Sequence, residues 1–211
     1  MIFKKGVIKM PVLLYRLFKN CLFHYPREES SIFITFDDGP DPTLTPYVLD
    51  LLNQYNAKAT FFCLGHKARD NKKIINSIAQ KGHGLGNHGF YHLNHKRCTK
   101  KEYVANIEKA SEYITSKLFR PPYGRIGYST LSEVNKKMQV VFYTIIAKDY
   151  DLKYSDDKIT RDLLNKIKPG YIIVLHDVAR EGRNTLCILR KLLEFIQLNG
   201  WMAKRLPGDE I

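Results

Sequence analysis

The sequence predicts an α/β fold: a parallel sheet wrapped by helices and closed into a barrel of the (β/α) type. Two observations carry that prediction. From residue 31 onward strand-like and helix-like runs alternate, giving about seven βα repeats. Five polar segments each follow directly on a strand-like run: Thr35-Phe36-Asp37-Asp38-Gly39-Pro40, His88-Gly89-Phe90-Tyr91-His92, Arg120-Pro121-Pro122-Tyr123-Gly124, Asp149-Tyr150-Asp151 and Leu175-His176-Asp177. A strand delivers its last residue to one end of a barrel, and the active sites of such barrels lie at the carboxyl ends of the strands. Carboxylates, histidines and an arginine placed that way converge on one pocket.

Taken in order, Ser31–Phe36 is a β-branched and aromatic run that reads as a strand, with a helix near Thr45–Asn53. Ala59–Leu64 is the second strand, and the helix near Asp70–Lys81 carries Ile74, Ile75 and Ile78 on one face. A short strand at Gly84–Asn87 leads into the histidines. Thr99 and Glu102 have capping-box spacing, and Val104, Ile107, Ser111, Ile114 and Leu118 continue at helical period. Further strands are expected just before Arg120, at Val140–Ile145, at Tyr171–Leu175 and at Trp201–Arg205. Helices near Ser129–Lys137, Ile159–Ile167 and Leu186–Leu198 separate them.

At 211 residues the chain suits one domain with a real core, and 44% hydrophobic with 26% charged residues is the composition of a soluble globular protein. No apolar run approaches the roughly 18 to 20 residues that span a bilayer. The net charge of +13 attracts nucleic acid, anionic membrane or acidic polymers without naming one. The cations are spread as on solvated helix faces, and no nucleic-acid-reading module is present, so no specific nucleic-acid partner is expected. Cys21, Cys63, Cys98 and Cys187 form no C-x-x-C pair, which argues for free thiols and a reducing compartment.

Residues 1–29 form a basic segment ahead of a domain at 30–207, and the first 27 residues hold six Lys/Arg and no acid. Lys9, Arg16 and Lys19 interrupt the apolar run that a secretory signal needs, so a monomer in the cytoplasm or on the cytoplasmic membrane face is expected. The segment reads as an amphipathic element packed on the domain. The alternative is a helix lying on an anionic membrane surface through residues 1–27.

Each polar segment has an ordinary structural explanation when taken alone. Asp37-Asp38-Gly39-Pro40 makes a strand-to-helix turn with Asp41 or Thr43 as N-cap. His88 and His92 are four apart, a spacing that suits a divalent metal, yet isolated pairs of this kind are more often surface histidines. His83 and His95 are rivals to them, and the glycines at 82, 84, 86 and 89 point to a close-packed turn. Arg120 is either a solvated residue before a helix-terminating proline pair or a fixed guanidinium that holds a carboxylate. Pro122 lacks an N–H, so Tyr123 offers the first backbone donor after Arg120. His176 ends an apolar strand, where a satisfied core histidine is the commoner outcome.

Together the segments resemble the polysaccharide deacetylase family (NodB homology domain, carbohydrate esterase family 4). The motifs T-F-D-D-G-P, A-T-F-F-C-L-G, G-N-H, R-P-P-Y-G and I-V-L-H-D stand in the family's order. The resemblance implies a distorted (β/α)7-type barrel, the NodB-like fold. It also implies a metal-dependent hydrolase that removes N-linked acetyl groups from an N-acetylhexosamine-containing glycan, peptidoglycan-like or chitooligosaccharide-like. On this resemblance Asp38, His88 and His92 bind the metal, and Asp37 is the general base oriented by Arg120. The Tyr123 N–H faces the oxyanion, and His176 is the general acid. Two histidines and a carboxylate suit Zn2+, and Co2+, Ni2+, Mn2+ or Fe2+ can take the same donors.

The sequence departs from the family at several positions. Gly89 stands where the family has Ser or Thr, and Tyr143 and Tyr150 stand at tryptophan positions. Ile146 replaces the first of two Asp in the fourth motif, and Val174 replaces a leucine of the acetyl pocket. Asp149 keeps the second Asp position and is the candidate to hold His176. Ile146 leaves open an O-acetyl esterase, whose alkoxide needs less help leaving, and a non-catalytic glycan-binding relative.

Overall fold

The computed structural model describes residues 6–11, 13, 15, 18, 20–181 and 184–208. Its strands are β1 (Val7–Lys9), β2 (Ser31–Asp37), β3 (Ala59–Cys63), β4 (Gly84–Asn87), β5 (Leu118–Phe119), β6 (Gln139–Val140), β7 (Ile145–Ala147), β8 (Ile172–His176) and β9 (Met202–Ala203). They form one curled sheet in the order β1-β7-β8-β2-β3-β4-β5-β6, with β9 beside β2. Every pairing is parallel except that of β1 with β7. Every residue of β2, β3 and β8 is buried, because the barrel interior covers one face and helices cover the other. This is the distorted (β/α) barrel that the sequence predicts.

The strand predicted at Val140–Ile145 is instead two. β6 pairs with β5 and β7 pairs with β8, so the run 139–147 joins the two sides of the sheet where the barrel closes. Between them the N-terminal segment takes the backbone partners. Phe142 N–H donates to Leu22 O, Met10 N–H donates to Thr144 O, and the Thr144 hydroxyl donates to Phe23 O. The Phe23 ring stacks on Phe142 with centroids 4.9 Å apart. Val7 and Phe23 are buried, which agrees with a segment packed on the barrel. Leu14, Arg16, Leu17 and Lys19 lie outside the described residues, so the amphipathic reading of this stretch is described only in part.

The helices are α1 (Thr45–Gln54), α2 (Gly65–Asp70), α3 (Lys72–Gln80), α4 (Lys100–Ser111), α5 (Tyr128–Val134), α6 (Asp156–Leu164) and α7 (Thr185–Leu198). The α1, α3, α6 and α7 faces bury Leu49, Leu52, Ile78, Ile159, Leu163 and Leu192 in the main core. The helix expected near Asp70–Lys81 is α3, and a separate short helix, α2, precedes it. The N–H groups of Gly65 and His66 at the start of α2 donate to the carbonyls of Gly89 and Phe90 and so support the histidine loop. The capping box at α4 is present: Glu102 N–H donates to Thr99 Oγ1 and Thr99 N–H to Glu102 Oε2. This helix stops at Ser111 rather than continuing to Leu118, which belongs to β5. The N-cap of α1 is Leu44, with no side-chain cap, rather than Asp41 or Thr43; Asp41 instead shapes the turn before the helix, its carboxylate accepting from the N–H groups of Thr43 and Leu44. All four cysteines are free thiols. No helix among the described residues is long and apolar enough to cross a membrane.

Candidate active site

The sheet register puts the two reacting ends side by side. Asp37 closes β2 and is in register with His176, which closes the neighbouring parallel strand β8. Asp38 then turns the chain with φ 72°, a left-handed conformation that non-glycine residues seldom adopt. His88 follows β4 and Arg120 follows β5. All five polar positions thus reach the same end of the barrel, as the strand-end pattern requires.

Asp38, His88 and His92 form a cluster whose ligand atoms all lie within 4.8 Å of one another. The Asp38 Oδ1 atom is 3.6 Å from His88 Nε2 and 3.4 Å from His92 Nε2. His88 donates its Nδ1–H to the Arg120 carbonyl at 2.8 Å, which leaves the Nε2 lone pair facing the cluster. Burial and the neighbouring His88 push His92 down to about 4, so it is neutral at neutral pH, the form that ligates a metal. Burial works against ionisation of Asp38, but His88, His176, His92 and Lys67 outweigh it and hold the carboxyl below its ordinary value. Asp38 Oδ1 is buried with no hydrogen-bond partner. An orphaned carboxylate oxygen beside two imidazole Nε2 atoms is a donor set that a divalent cation would satisfy.

The rival histidines are elsewhere. His83 is buried at the start of β4, where its Nδ1 accepts from Ala59 N–H. His95 pairs its Nε2 with the Thr130 hydroxyl.

Asp37 is held by Arg120. Both are buried, and Arg120 Nη1 donates to Asp37 Oδ1 and to Thr35 Oγ1, each at 2.7 Å. The same guanidinium reaches Phe142 O and Val141 O and lies 4.0 Å over the Phe62 ring. Arg120 is therefore the fixed guanidinium, not the solvated one.

His176 is held by Asp149. The ring donates Nδ1–H to Asp149 Oδ1 at 2.7 Å, and the His176 backbone N–H donates to Asp149 Oδ2 at 2.8 Å. Burial would lower the His176 pKa, but the Asp149 carboxylate overrides it, and with the more distant Asp38 and Asp37 it lifts the ring to about 9. Asp149 thus makes the contact expected of it, without the acid that Ile146 replaces.

Asp37, Asp38, His88, His92, Arg120 and His176 share a cleft of about 530 Å³. Tyr143, Ile146 and Tyr150 line it, and the Tyr150 ring stands edge-on to His176 with centroids 5.3 Å apart. Val174 is fully buried and is not part of the lining. Tyr123 stands at the mouth, 57% exposed, with its ring 4.3 Å from that of His92.

Two supporting residues escaped the sequence reading. Lys67 on α2 donates to the Asp38 carbonyl at 2.8 Å and fixes the turn that carries the ligand. Asn106 on α4 clamps the histidine loop: its side chain accepts from Tyr91 N–H at 2.8 Å and donates to Tyr91 O at 2.9 Å. Its backbone carbonyl takes Phe90 N–H. This explains Gly89. A Cβ there would lie 2.5 Å from Asn106 Nδ2, and the residue has φ +81°. Gly86 is small for a different reason, since a Cβ would meet the Phe62 ring at 2.3 Å. The available signal for Asn106 was a polar residue on the buried face of α4, between Tyr103 and Ile107.

A barrel with these paired acids and histidines at one end defines a carbohydrate-deacylating hydrolase. The chain belongs to the polysaccharide deacetylase family, whose model matches residues 24–142. A chitooligosaccharide deacetylase of Azorhizobium caulinodans is 34% identical over 200 residues, covering 86% of this chain and 95% of that protein. A peptidoglycan-N-acetylglucosamine deacetylase of Bacillus cereus is 36% identical over 194 residues, covering 88% of this chain and 70% of the relative. The crystal structure of the Bc1960 peptidoglycan N-acetylglucosamine deacetylase, in complex with 4-naphthalen-1-yl-N-oxidanyl-benzamide, superposes with a TM-score of 0.86 at 31% identity. That match covers 95% of this chain and 96% of the solved one.

Proposed function

We propose that this protein is a metal-dependent N-deacetylase acting on an N-acetylhexosamine-containing glycan. The observation that carries the reading is the register of Asp37 with His176 in the same cleft as the Asp38, His88 and His92 cluster. A cation held by Asp38, His88 and His92 supplies Lewis acidity, lowering the pKa of water and polarising the acetyl carbonyl. Asp37, oriented by Arg120, accepts the proton of the attacking water. The Tyr123 N–H offers a hydrogen bond to the oxyanion. His176, protonated at neutral pH by virtue of Asp149, gives its proton to the leaving amine. Water adds to the carbonyl carbon, the C–N bond breaks, and acetate and a free amine result. A protonated acid matters more for an amine than for an alkoxide, which favours the amide over the ester.

The test is acetate release from chitin oligomers, peptidoglycan and acetylated xylan, with metal content measured on the same sample. We expect release from the N-acetylated glycans, loss with a chelator, recovery with Zn2+, and loss of at least about 10²-fold in His92→Ala. A metal-loaded protein that frees no acetate from any N-acetylated glycan would rule the reading out.

A further inference from the structure

Beside the catalytic cleft lies a second cavity of about 330 Å³, between the N-terminal segment and the loop after Tyr123. Met10, Phe18, Phe23, Ile126 and Phe142 line it, with the Phe18 and Phe23 rings packed against that of Phe142. Gly124, Arg125 and Phe142 line this cavity and the catalytic cleft alike, so the two meet there. On the catalytic side the apolar surface continues. Ile8 of β1 is in register with Ile146 of β7, and both face the cleft. The position where the family has an acid is thus occupied by an isoleucine set against a second isoleucine from the N-terminal strand.

Such a trough is ill suited to more sugar. A sugar ring brings hydroxyls that need partners, and burying them among Met and Phe side chains is costly. A hydrocarbon carries no such cost and gains from burial. Two cations accompany the apolar lining: Arg125 where the cavities meet and Lys96 on the second cavity's wall. Both are exposed, and neither forms a salt bridge with an acid among the described residues. In the same two segments Leu13 and Tyr128 are 66% and 80% exposed, as expected of a surface that meets lipid.

We propose that the trough holds the hydrocarbon tail of a lipid-linked sugar, an N-acetylhexosamine joined through phosphate to a long alkyl or prenyl chain. Arg125 meets the phosphate at the junction, and the tail runs over Phe142 toward Met10, Phe18 and Phe23. This rests on the deacetylase reading and names its substrate class.

The test separates tail from sugar. The probes are n-alkyl phosphates from butyl to decyl, titrated calorimetrically into the metal-loaded full chain below their micelle concentrations. Each buried methylene should tighten binding about fourfold until the trough is full. Arg125→Ala should weaken the octyl phosphate by about tenfold, since a charge-assisted contact is lost. Met10→Asp should flatten the chain-length series, with thermal melting used to check that the variant folds. A flat series in the wild-type protein overturns the proposal and requires no variant. In parallel, acetate release is compared for N-acetylglucosamine 1-(octyl phosphate), N-acetylglucosamine 1-phosphate and chitotetraose. At least tenfold higher kcat/KM for the octyl compound supports the proposal, and equal values overturn it. A steep alkyl series with no acetate from any of the three leaves the trough standing and removes the deacetylase reading. A flat series with acetate from chitotetraose does the opposite.

Discussion

Asp37 and His176 end neighbouring strands in register, yet the barrel secures them in different ways. Asp37 is held by a guanidinium that also binds Thr35 Oγ1, Val141 O and Phe142 O and covers Phe62, so its partner ties several elements together. His176 sends both its ring Nδ1–H and its backbone N–H to the single carboxylate of Asp149. The base is therefore fixed by the interior of the barrel and the acid by one residue. Damage on the first side should spread into the fold, and damage on the second should stay with the protonation of one ring.

The largest effect is expected at Arg120. Arg120→Ala leaves the Asp37 carboxylate buried without its cation and strips Phe142 O and Val141 O of a donor. Losing one partner of a buried pair costs about 3–5 kcal/mol, which denaturant unfolding will read, and acetate release should fall by more than about 10²-fold. Arg120→Lys should recover little, because an ammonium cannot present a planar fork to acceptors lying in several directions. An Arg120→Ala protein with wild-type stability would erase the contrast between the two sides.

Asp149→Asn comes next, with a smaller effect on the fold. The amide still reaches the His176 backbone, but the charge is gone, and kcat should drop by about 10²-fold. The pH profile gives the sharper reading. With Asp149 charged, the ring titrates at about 9, so His176 stays protonated through neutrality and activity declines on the alkaline side. Without that charge, burial dominates and lowers the pKa, so the alkaline limb should move toward lower pH. A bound cation offsets the pull of Asp38 and starts the limb lower, without changing the direction of the shift. For stability the sign is that of a raised histidine. The pair contributes fully below the ordinary value of 6.5, and its contribution fades as pH rises through about 9. Asp149→Asn should flatten that dependence, and an unmoved alkaline limb would show that something else holds the acid.

Most of this architecture was legible because strand ends announce themselves. Ser31–Phe36 and Tyr171–Leu175 are short apolar or β-branched runs that stop at a polar residue, and the barrel brings those stops together. What stayed hidden depends on contacts between distant segments. The run Val140–Ile145 is a single strand by its residues, and the insertion of Met10, Leu22 and Phe23 divides it. The helix at Gly65–Asp70 has too few residues to show a period, and it opens on a glycine that packs against Phe90 and Ala110. The Ile146 substitution looked like damage to the acid side. The structure shows Asp149 making both bonds to His176, with Ile146 facing Ile8 across the cleft wall.

Asn106 gives the smallest expected effect and sharpens the comparison by adding a region held from outside the barrel. The loop from His88 to His92 is anchored at its start by the Arg120 carbonyl and in its middle by a helix side chain, through both backbone groups of Tyr91. Asn106→Ala removes the clamp but none of the ligands. Metal affinity, read by competition with a chelator, should weaken by about tenfold, the lower end for loss of a group that orients a ligand. At saturating metal, kcat should stay within a few-fold of wild type, since Asp37 and His176 do not touch this loop's clamp. Asn106→Asp keeps an acceptor for Tyr91 N–H but loses the donor to Tyr91 O, so it should fall between the two. Gly89→Ser cannot restore the clamp in the alanine variant, because the backbone there has φ +81°, where a side chain is strained even without the Asn106 contact. Unchanged metal affinity in Asn106→Ala would mean that the contacts it leaves intact, those of Gly65 and His66 on α2 and of the Asn106 carbonyl, hold the loop without the side chain.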